Sequence, residues 1–140
     1  MSWRYVAPAL VAWFIAQVLK VVTLSVRERR LDFRALATMG GMPSSHSAMV
    51  CALTTVIGRL NGVSSAAFAI ALIFSLVVMY DAAGVRRAAG RQATVLNRLV
   101  EDLMAQRGLA EERLRELLGH TPVEVLAGAA LGVAVGLAVP

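Results

Sequence analysis

The chain has 140 residues, of which 58% are hydrophobic and 16% are charged, a balance that is too apolar for an ordinary soluble domain. The net charge of +5 comes from basic residues that flank apolar segments. This pattern is typical of cytoplasmic loops near anionic lipid, and it disfavours nucleic acid as a partner. The single cysteine, Cys51, excludes an internal disulfide. We therefore expect one integral membrane domain over residues 1–140.

Four apolar stretches predict an all-α bundle of about four transmembrane helices. They cover residues 5–26, 44–60, 65–80 and 121–139. A spanning helix needs about 20 apolar residues, so the second and third stretches are short for a complete crossing. Alanine, glycine and serine recur in all four stretches, which favours close helix packing in lipid.

Basic residues predict the orientation of these helices. A run from Arg27 to Arg30 follows the first stretch, and Arg86 and Arg87 follow the third. The positive-inside rule places both basic segments in the cytoplasm. We therefore expect the chain in the inner cell membrane, with its N-terminus, the turn at residues 61–62 and its C-terminus on the opposite side.

Residues 88–118 form a predicted cytoplasmic insertion between the third and fourth stretches. From about Gln92, leucines recur at helical spacing with charged residues between them. This pattern predicts one or two amphipathic helices, broken near Gly108, that lie against the cytoplasmic face of the membrane. Packing against another protein would produce the same pattern.

Lys20 and Arg27 share nearly the same face of the first predicted helix. They are seven residues apart, which is about 10 Å along a helix axis. A charge inside an apolar segment is costly and usually has a partner or a function. The alternative interpretation is a lysine that extends toward the membrane interface, followed by an arginine that only sets the topology.

Residues 40–47 read Gly-Gly-Met-Pro-Ser-Ser-His-Ser and precede the second helix. Glycines allow a backbone to approach a ligand closely. Ser44 or Ser45 can cap the helix, whose free N–H groups favour an anion. An ordinary capped loop would have a similar sequence, but the adjacent His46 favours a phosphate site.

His120 and Glu124 are four residues apart and therefore share one face of the fourth helix. The carboxylate could hold one ring nitrogen and leave the other free to attack or to accept a proton. An interfacial pair that caps a membrane helix is the alternative. Asp81 could orient Arg86, Arg87 or Lys20. The guanidinium groups of the two arginines can bind phosphate, although arginines here could also serve topology alone.

In chain order, three groups of residues resemble the motifs of the phosphatidic acid phosphatase type 2 and vanadium haloperoxidase superfamily. The first is Lys20 with Arg27, the second is residues 43–46, and the third is His120-x-x-x-Glu124. Together with Tyr-Asp-Ala-Ala-Gly-Val-Arg-Arg at residues 80–87, they are similar to its short, divergent bacterial and plastid branch. The resemblance covers nearly the whole chain.

This resemblance implies a membrane phosphatase that needs no metal or other cofactor. Its substrate would be a membrane lipid phosphate monoester or a polyprenyl pyrophosphate, hydrolysed through a phosphohistidine at the cytoplasmic face. By match to the motifs, His120 would be the nucleophile, Glu124 would orient it, and His46 would protonate the leaving alcohol and later activate water. Asp81 would support the site, and the expected phosphate ligands are Lys20, Arg27, Ser44, Ser45, Arg86 and Arg87.

Several positions depart from the family pattern. Glu28 follows Arg27 where the family has proline, Ser45 stands where glycine is usual, and Glu124 replaces aspartate. The Ser-Arg that normally precedes the nucleophile is missing, and the family's lipid enzymes usually have about six membrane helices. A non-catalytic pseudo-phosphatase that binds anionic lipid or a membrane partner is therefore the main alternative.

Two further interpretations stay open on the sequence. Short helices with small-residue faces permit a homo-oligomer, and hence a transporter or channel subunit built by oligomerisation. A metal site formed by Asp81, His46, His120 and Glu124 is less favoured, because the arginines already supply positive charge.

Overall fold

The computed structural model of the chain describes residues 3–28, 41–105 and 120–139. All regular secondary structure in these residues is α-helical. The four helices are α1 (Trp3–Glu28), α2 (Ser45–Asn61), α3 (Ala66–Ala105) and α4 (Pro122–Ala138). The predicted all-α class is confirmed. The predicted first, second and fourth helices agree with α1, α2 and α4 to within two residues at each end.

Helix α2 is the centre of the bundle and packs against the other three helices. The Tyr5 hydroxyl donates to Asn61 Oδ1 at 3.0 Å, so the start of α1 lies beside the end of α2. Helices α2 and α4 run parallel, because the Ser44 N–H donates to the Glu124 carbonyl at 3.0 Å while Arg59 donates to the Gly136 carbonyl at 2.8 Å. The starts of α2 and α4 and the end of α1 therefore meet at one end of the bundle, here called the motif end.

Glycines set the distance between α2 and α4. Gly128, Gly132 and Gly136 are four residues apart on one face of α4, and all three are buried. A Cβ on Gly128 would collide with the Ser44 carbonyl oxygen, and one on Gly132 would collide with the Ala48 carbonyl oxygen. The two backbones thus touch directly, as in helix pairs whose contact depends on small residues.

Hydroxyl groups join α2 to α3. Thr54 Oγ1 and Ser75 Oγ are 2.7 Å apart, so one hydroxyl donates to the other. Each oxygen also lies 3.1 Å from a carbonyl oxygen of the facing helix, Thr54 from Ala71 and Ser75 from Val50. Both side chains are buried. Because each hydroxyl has a partner, the burial of these polar groups is compensated, and the two helices are held antiparallel.

The outer surface of the bundle is strongly apolar. Two helical segments, Trp3–Val26 and Ala66–Gly84, are long and apolar enough to cross a membrane, with mean hydropathies of 2.0 and 2.1. Only 6% of the α3 segment is buried inside the protein, so its large side chains face outward. Small and polar residues fill the interior instead, and this inverted arrangement indicates a surface that faces hydrocarbon. At 17 residues each, α2 and α4 are about 25 Å long, shorter than the hydrocarbon core.

Helix α3 is longer than the sequence pattern predicts. It continues without a break through Ala105 and has 40 residues, about 60 Å of helix. The predictions that the third helix ends near Asp81 and that a separate amphipathic helix starts near Gln92 are therefore wrong. Hydropathy falls after Tyr80, but no proline follows and Gly84 and Gly90 only weaken a helix, so nothing stops it. Residues 106–119 of the predicted insertion lie outside the described residues.

The α2–α4 contact gives a testable prediction. We expect Gly132→Ala to destabilise the protein by about 1–3 kcal/mol, the usual cost of overpacking, because the new methyl group meets the Ala48 carbonyl. Gly84→Ala is the matched control: its Cβ would meet only the Tyr80 ring, at 3.9 Å, so helix propensity should keep or raise stability. Thermal unfolding in detergent, followed by circular dichroism, measures both. Equal midpoints for the two variants would contradict the close backbone contact.

Candidate functional site

Lys20 brings a buried cation to the motif end. Its side chain is only 4% exposed and follows Ala12 and Ala16 on the buried face of α1. The backbone at Gly41, with a φ of +103°, passes over the lysine stem so closely that a Cβ there would lie 3.1 Å from Cγ and Cε. Thr23 Oγ1 donates to the Met42 carbonyl at 2.9 Å. The loop before α2 is therefore fastened to α1 around Lys20.

Ser44 connects this loop to both α2 and α4. It is fully buried and is the N-cap of α2, with Oγ accepting from the Ser47 N–H at 3.4 Å and from the Ser47 hydroxyl at 3.1 Å. Its own N–H donates to the Glu124 carbonyl at 3.0 Å. One residue thus caps α2 and fixes the position of the first turn of α4.

His120 and Glu124 form a hydrogen-bonded pair at the start of α4. His120 Nδ1 lies 3.0 Å from Glu124 Oε2, and the two side chains are 7% and 18% exposed. An ionised carboxylate can only accept a hydrogen bond, so Nδ1 carries the proton. In the neutral imidazole the lone pair is then on Nε2, which gives that nitrogen its nucleophilic and basic character.

These groups form a continuous structure at the motif end. The loop over residues 41–44 contacts Lys20 on one side and Glu124 on the other. The N-termini of α2 and α4 lie here as well, which brings the positive ends of two helix dipoles together. A buried lysine, two helix N-termini and a histidine with an orienting carboxylate suit an anion that contains an electrophilic centre.

The structure does not bring His46 to this pair. Its side chain is exposed, whereas Ser45 and Ser47 on either side are buried. The side of α2 that faces α4 is marked by Ala48 and Thr55, which contact Gly132 and Gly136. His46 is rotated about 200° from Ala48 and about 180° from Thr55 around the axis of α2. It therefore points away from α4 and from His120.

The structure describes the side chains of only some of the other predicted site residues. Ser45 is buried in the first turn of α2, and Asp81 is exposed on α3. The backbones of Arg27, Arg86 and Arg87 belong to α1 and α3, but their side chains lie outside the described structure. Within the described residues, no three His, Cys, Asp or Glu side chains are grouped in a way that could hold a metal ion.

Two functional features were missed by the sequence analysis. Thr121 is the N-cap of α4 and forms a capping box with Glu124, and Gly128 provides the space in which the Ser44 backbone lies. The pattern Thr-x-x-Glu ahead of an apolar run is a known helix-start signal, so Thr121 could have been found. Nothing local marks Gly128, because its role depends on a neighbour 84 positions away in the chain.

Fold and site together define an all-α protein with candidate membrane-spanning helices and, at one end of the bundle, a histidine-containing candidate site. A family model described as the divergent PAP2 family matches residues 1–135. The chain therefore belongs to the divergent PAP2 family, as its three motifs predicted. It is 43% identical to the uncharacterized membrane protein YuiD of Bacillus subtilis (strain 168), over 89% of this chain and 86% of that relative. No solved structure matches the chain.

The buried lysine gives a prediction about anion binding. We expect orthovanadate, a phosphate analogue, to raise the thermal unfolding midpoint of the wild type, as a ligand that binds only the folded state must. Lys20→Met should abolish most of this shift. Arg59→Met is the control, because Arg59 is a cation at the opposite end of α2, bonded to the Val139 carbonyl at 2.7 Å. An equal loss in both variants would indicate a non-specific charge effect and contradict the site.

Proposed function

We propose that this protein is a metal-independent membrane phosphatase that hydrolyses a lipid phosphate monoester, or a polyprenyl pyrophosphate, at the cytoplasmic face of the inner membrane. The observation that carries this proposal is the 3.0 Å contact between His120 Nδ1 and Glu124 Oε2, because a carboxylate on Nδ1 orients the ring and makes Nε2 more nucleophilic. Membership of the divergent PAP2 family supports phosphate chemistry. The name of the Bacillus relative supports a membrane location.

The chemistry would proceed in two displacements. His120 Nε2 attacks phosphorus, a nitrogen–phosphorus bond forms, and the bond from phosphorus to the lipid oxygen breaks. The leaving oxygen takes up a proton and departs as an alcohol, or as a lipid phosphate when the substrate is a pyrophosphate. Water then attacks phosphorus, the nitrogen–phosphorus bond breaks, and inorganic phosphate is released. Glu124 stabilises the imidazolium that forms when His120 is phosphorylated, as expected for a carboxylate bonded to Nδ1.

Charge stabilisation would come from the residues that surround this pair. Lys20 and the N–H groups at the start of α2, next to Ser44 and Ser45, are proposed to hold the non-bridging phosphate oxygens. Arg27, Arg86 and Arg87 are proposed as further ligands, and Asp81 as a support for them. Preorganised cations and N–H groups would take the place that magnesium has in many phosphoryl-transfer enzymes.

A lipid substrate fits the position of the site. The motif end is the end of the bundle that the arginine-rich segments would keep in the cytoplasm, and the sides of the bundle are apolar and exposed. A lipid could therefore keep its chains beside the bundle while its phosphate reaches the motif end. We propose that residues 1–140 act as one membrane domain, with all four helices crossing or entering the bilayer.

The nucleophile is tested with a phosphate-release assay on phosphatidic acid, phosphatidylglycerophosphate and a polyprenyl pyrophosphate. We expect His120→Ala to abolish turnover and the acid-labile phosphoenzyme together, because both require Nε2. Glu124→Gln should lower kcat by roughly 10²–10⁴-fold, the range over which orienting and acid–base groups act. A phosphoenzyme that persists in His120→Ala, or label on another residue, would refute the assignment.

His46 is tested through the leaving group. If His46 protonates the departing oxygen, His46→Ala should slow hydrolysis of an alkyl phosphate by roughly 10²–10⁴-fold. It should hardly affect the initial burst of 4-nitrophenolate from 4-nitrophenyl phosphate, because that leaving group departs without a proton. Equal rates for wild type and variant on both substrates would assign the proton to another group, in accord with the position of His46 away from α4.

A non-catalytic phosphate binder is the second candidate. It is favoured by the position of His46, which leaves the described site without a second histidine beside His120. A binder would keep the vanadate shift that depends on Lys20, would copurify with anionic phospholipid, and would release no phosphate from any substrate in the panel. The vanadate measurement and the phosphate assay together therefore separate the two functions.

A further inference from the structure

We propose that Thr121 is a positioning residue for His120, and that the capping box of α4 and the histidine–carboxylate pair form one hydrogen-bonded unit. The proposal rests on the proposed function in so far as it treats His120 as the nucleophile. The Thr121 backbone N–H holds the Glu124 carboxylate in the conformation that also binds the imidazole. The Thr121 hydroxyl fixes the Glu124 backbone from which that side chain extends. Thr121 itself touches neither substrate nor reacting atoms.

One carboxylate oxygen serves both partners. Glu124 Oε2 accepts from His120 Nδ1 at 3.0 Å and from the Thr121 N–H at 3.0 Å. In return, Thr121 Oγ1 accepts from the Glu124 N–H at 3.3 Å. The two bonds between Thr121 and Glu124 close a ring, and the third bond joins His120 to it. The cap therefore fixes the carboxylate, and the carboxylate fixes the histidine. Rotation of Glu124 out of this conformation would break two bonds at once.

This arrangement explains the glutamate that departs from the family pattern. A capping box needs a side chain at the third helical position that reaches back to the N-cap N–H, and glutamate or glutamine has that length. Here the same oxygen must also meet a histidine one residue before the N-cap. Aspartate is shorter by one methylene group and could not keep both bonds from this position. We therefore expect Glu124→Asp to keep the negative charge and lose the orientation.

The cap also ties the pair to the rest of the site. The Glu124 carbonyl accepts from the Ser44 N–H. Glu124 therefore holds His120 through its side chain and the loop over residues 41–44 through its backbone. If the first turn of α4 loosened, His120 would lose its position relative to the loop. The hydroxyl of Thr121 is thus expected to affect catalysis through geometry, without any contact with phosphate.

The test is the tautomer of His120, read by nitrogen-15 NMR of the full-length protein in detergent. The chain has two histidines, so a His46→Gln spectrum assigns both rings. Wild-type His120 should be the Nδ1–H tautomer, whereas the exposed His46 should favour the Nε2–H form of free imidazole. Thr121→Val should shift His120 toward a mixture of tautomers, and Thr121→Ser, which keeps the oxygen, should restore the wild-type spectrum.

A matched control separates positioning from general destabilisation. Thr55→Val also removes a threonine hydroxyl from a helix, one that donates to the Cys51 carbonyl at 2.7 Å, and it should leave the His120 tautomer unchanged. In the phosphate assay, Thr121→Val should lower kcat by about fivefold, which corresponds to about 1 kcal/mol in the barrier and is the usual worth of a cap, with KM unchanged. An unchanged tautomer in Thr121→Val, or the same shift in Thr55→Val, would overturn the proposal.

The tautomer measurement tests the positioning role of Thr121, and the phosphate assay tests the proposed phosphatase activity, so the two can fail separately. If the wild type releases no phosphate but Thr121→Val still alters the His120 tautomer, the phosphatase is lost and the positioning role stands. If Thr121→Val does not fold, Glu124→Asp tests the same ring of bonds from the other side. A wild-type tautomer in Glu124→Asp would then count against the shared-oxygen arrangement.

Discussion

The direct contact between the backbones of α2 and α4 is the constraint on which the rest of the structure depends. Three glycines on α4 remove the side chains that would separate the helices, and the Ser44 N–H bonds to the Glu124 carbonyl across the contact. Because the pair runs parallel, the two helix N-termini meet. The positive ends of two helix dipoles are thereby placed at one end of the bundle, which no antiparallel pair could achieve.

The sides of the bundle are apolar, and polar contacts join its helices to one another. The Thr54–Ser75 contact joins α2 to α3, and Arg59 satisfies carbonyls at the end of α4. Where water is excluded, backbone and hydroxyl groups must find partners inside the protein. The same requirement makes the buried Lys20 informative, since a cation held in an apolar bundle is expected to face a polar partner or an anion.

The site joins helix capping to histidine chemistry. Glu124 is at once the third residue of a capping box and the partner of His120, so local helix stability and imidazole orientation cannot vary separately. His46 has no such connection and is exposed on the far side of α2. The motif resemblance identified both histidines, but the described structure holds only one of them among buried, bonded groups.

Local patterns determined much of this protein. Apolar length located α1, α2 and α4, and the spacing of His120 and Glu124 placed their side chains within bonding distance, because four residues make about one helical turn. Hydropathy did not predict the end of α3, because a fall in hydropathy does not stop a helix. Tertiary structure alone decided that α2 and α4 touch along glycines, that Ser44 lies on the first turn of α4, and that His46 turns away. These features depend on how one helix is rotated and spaced against another, and neither quantity is encoded within a single helix.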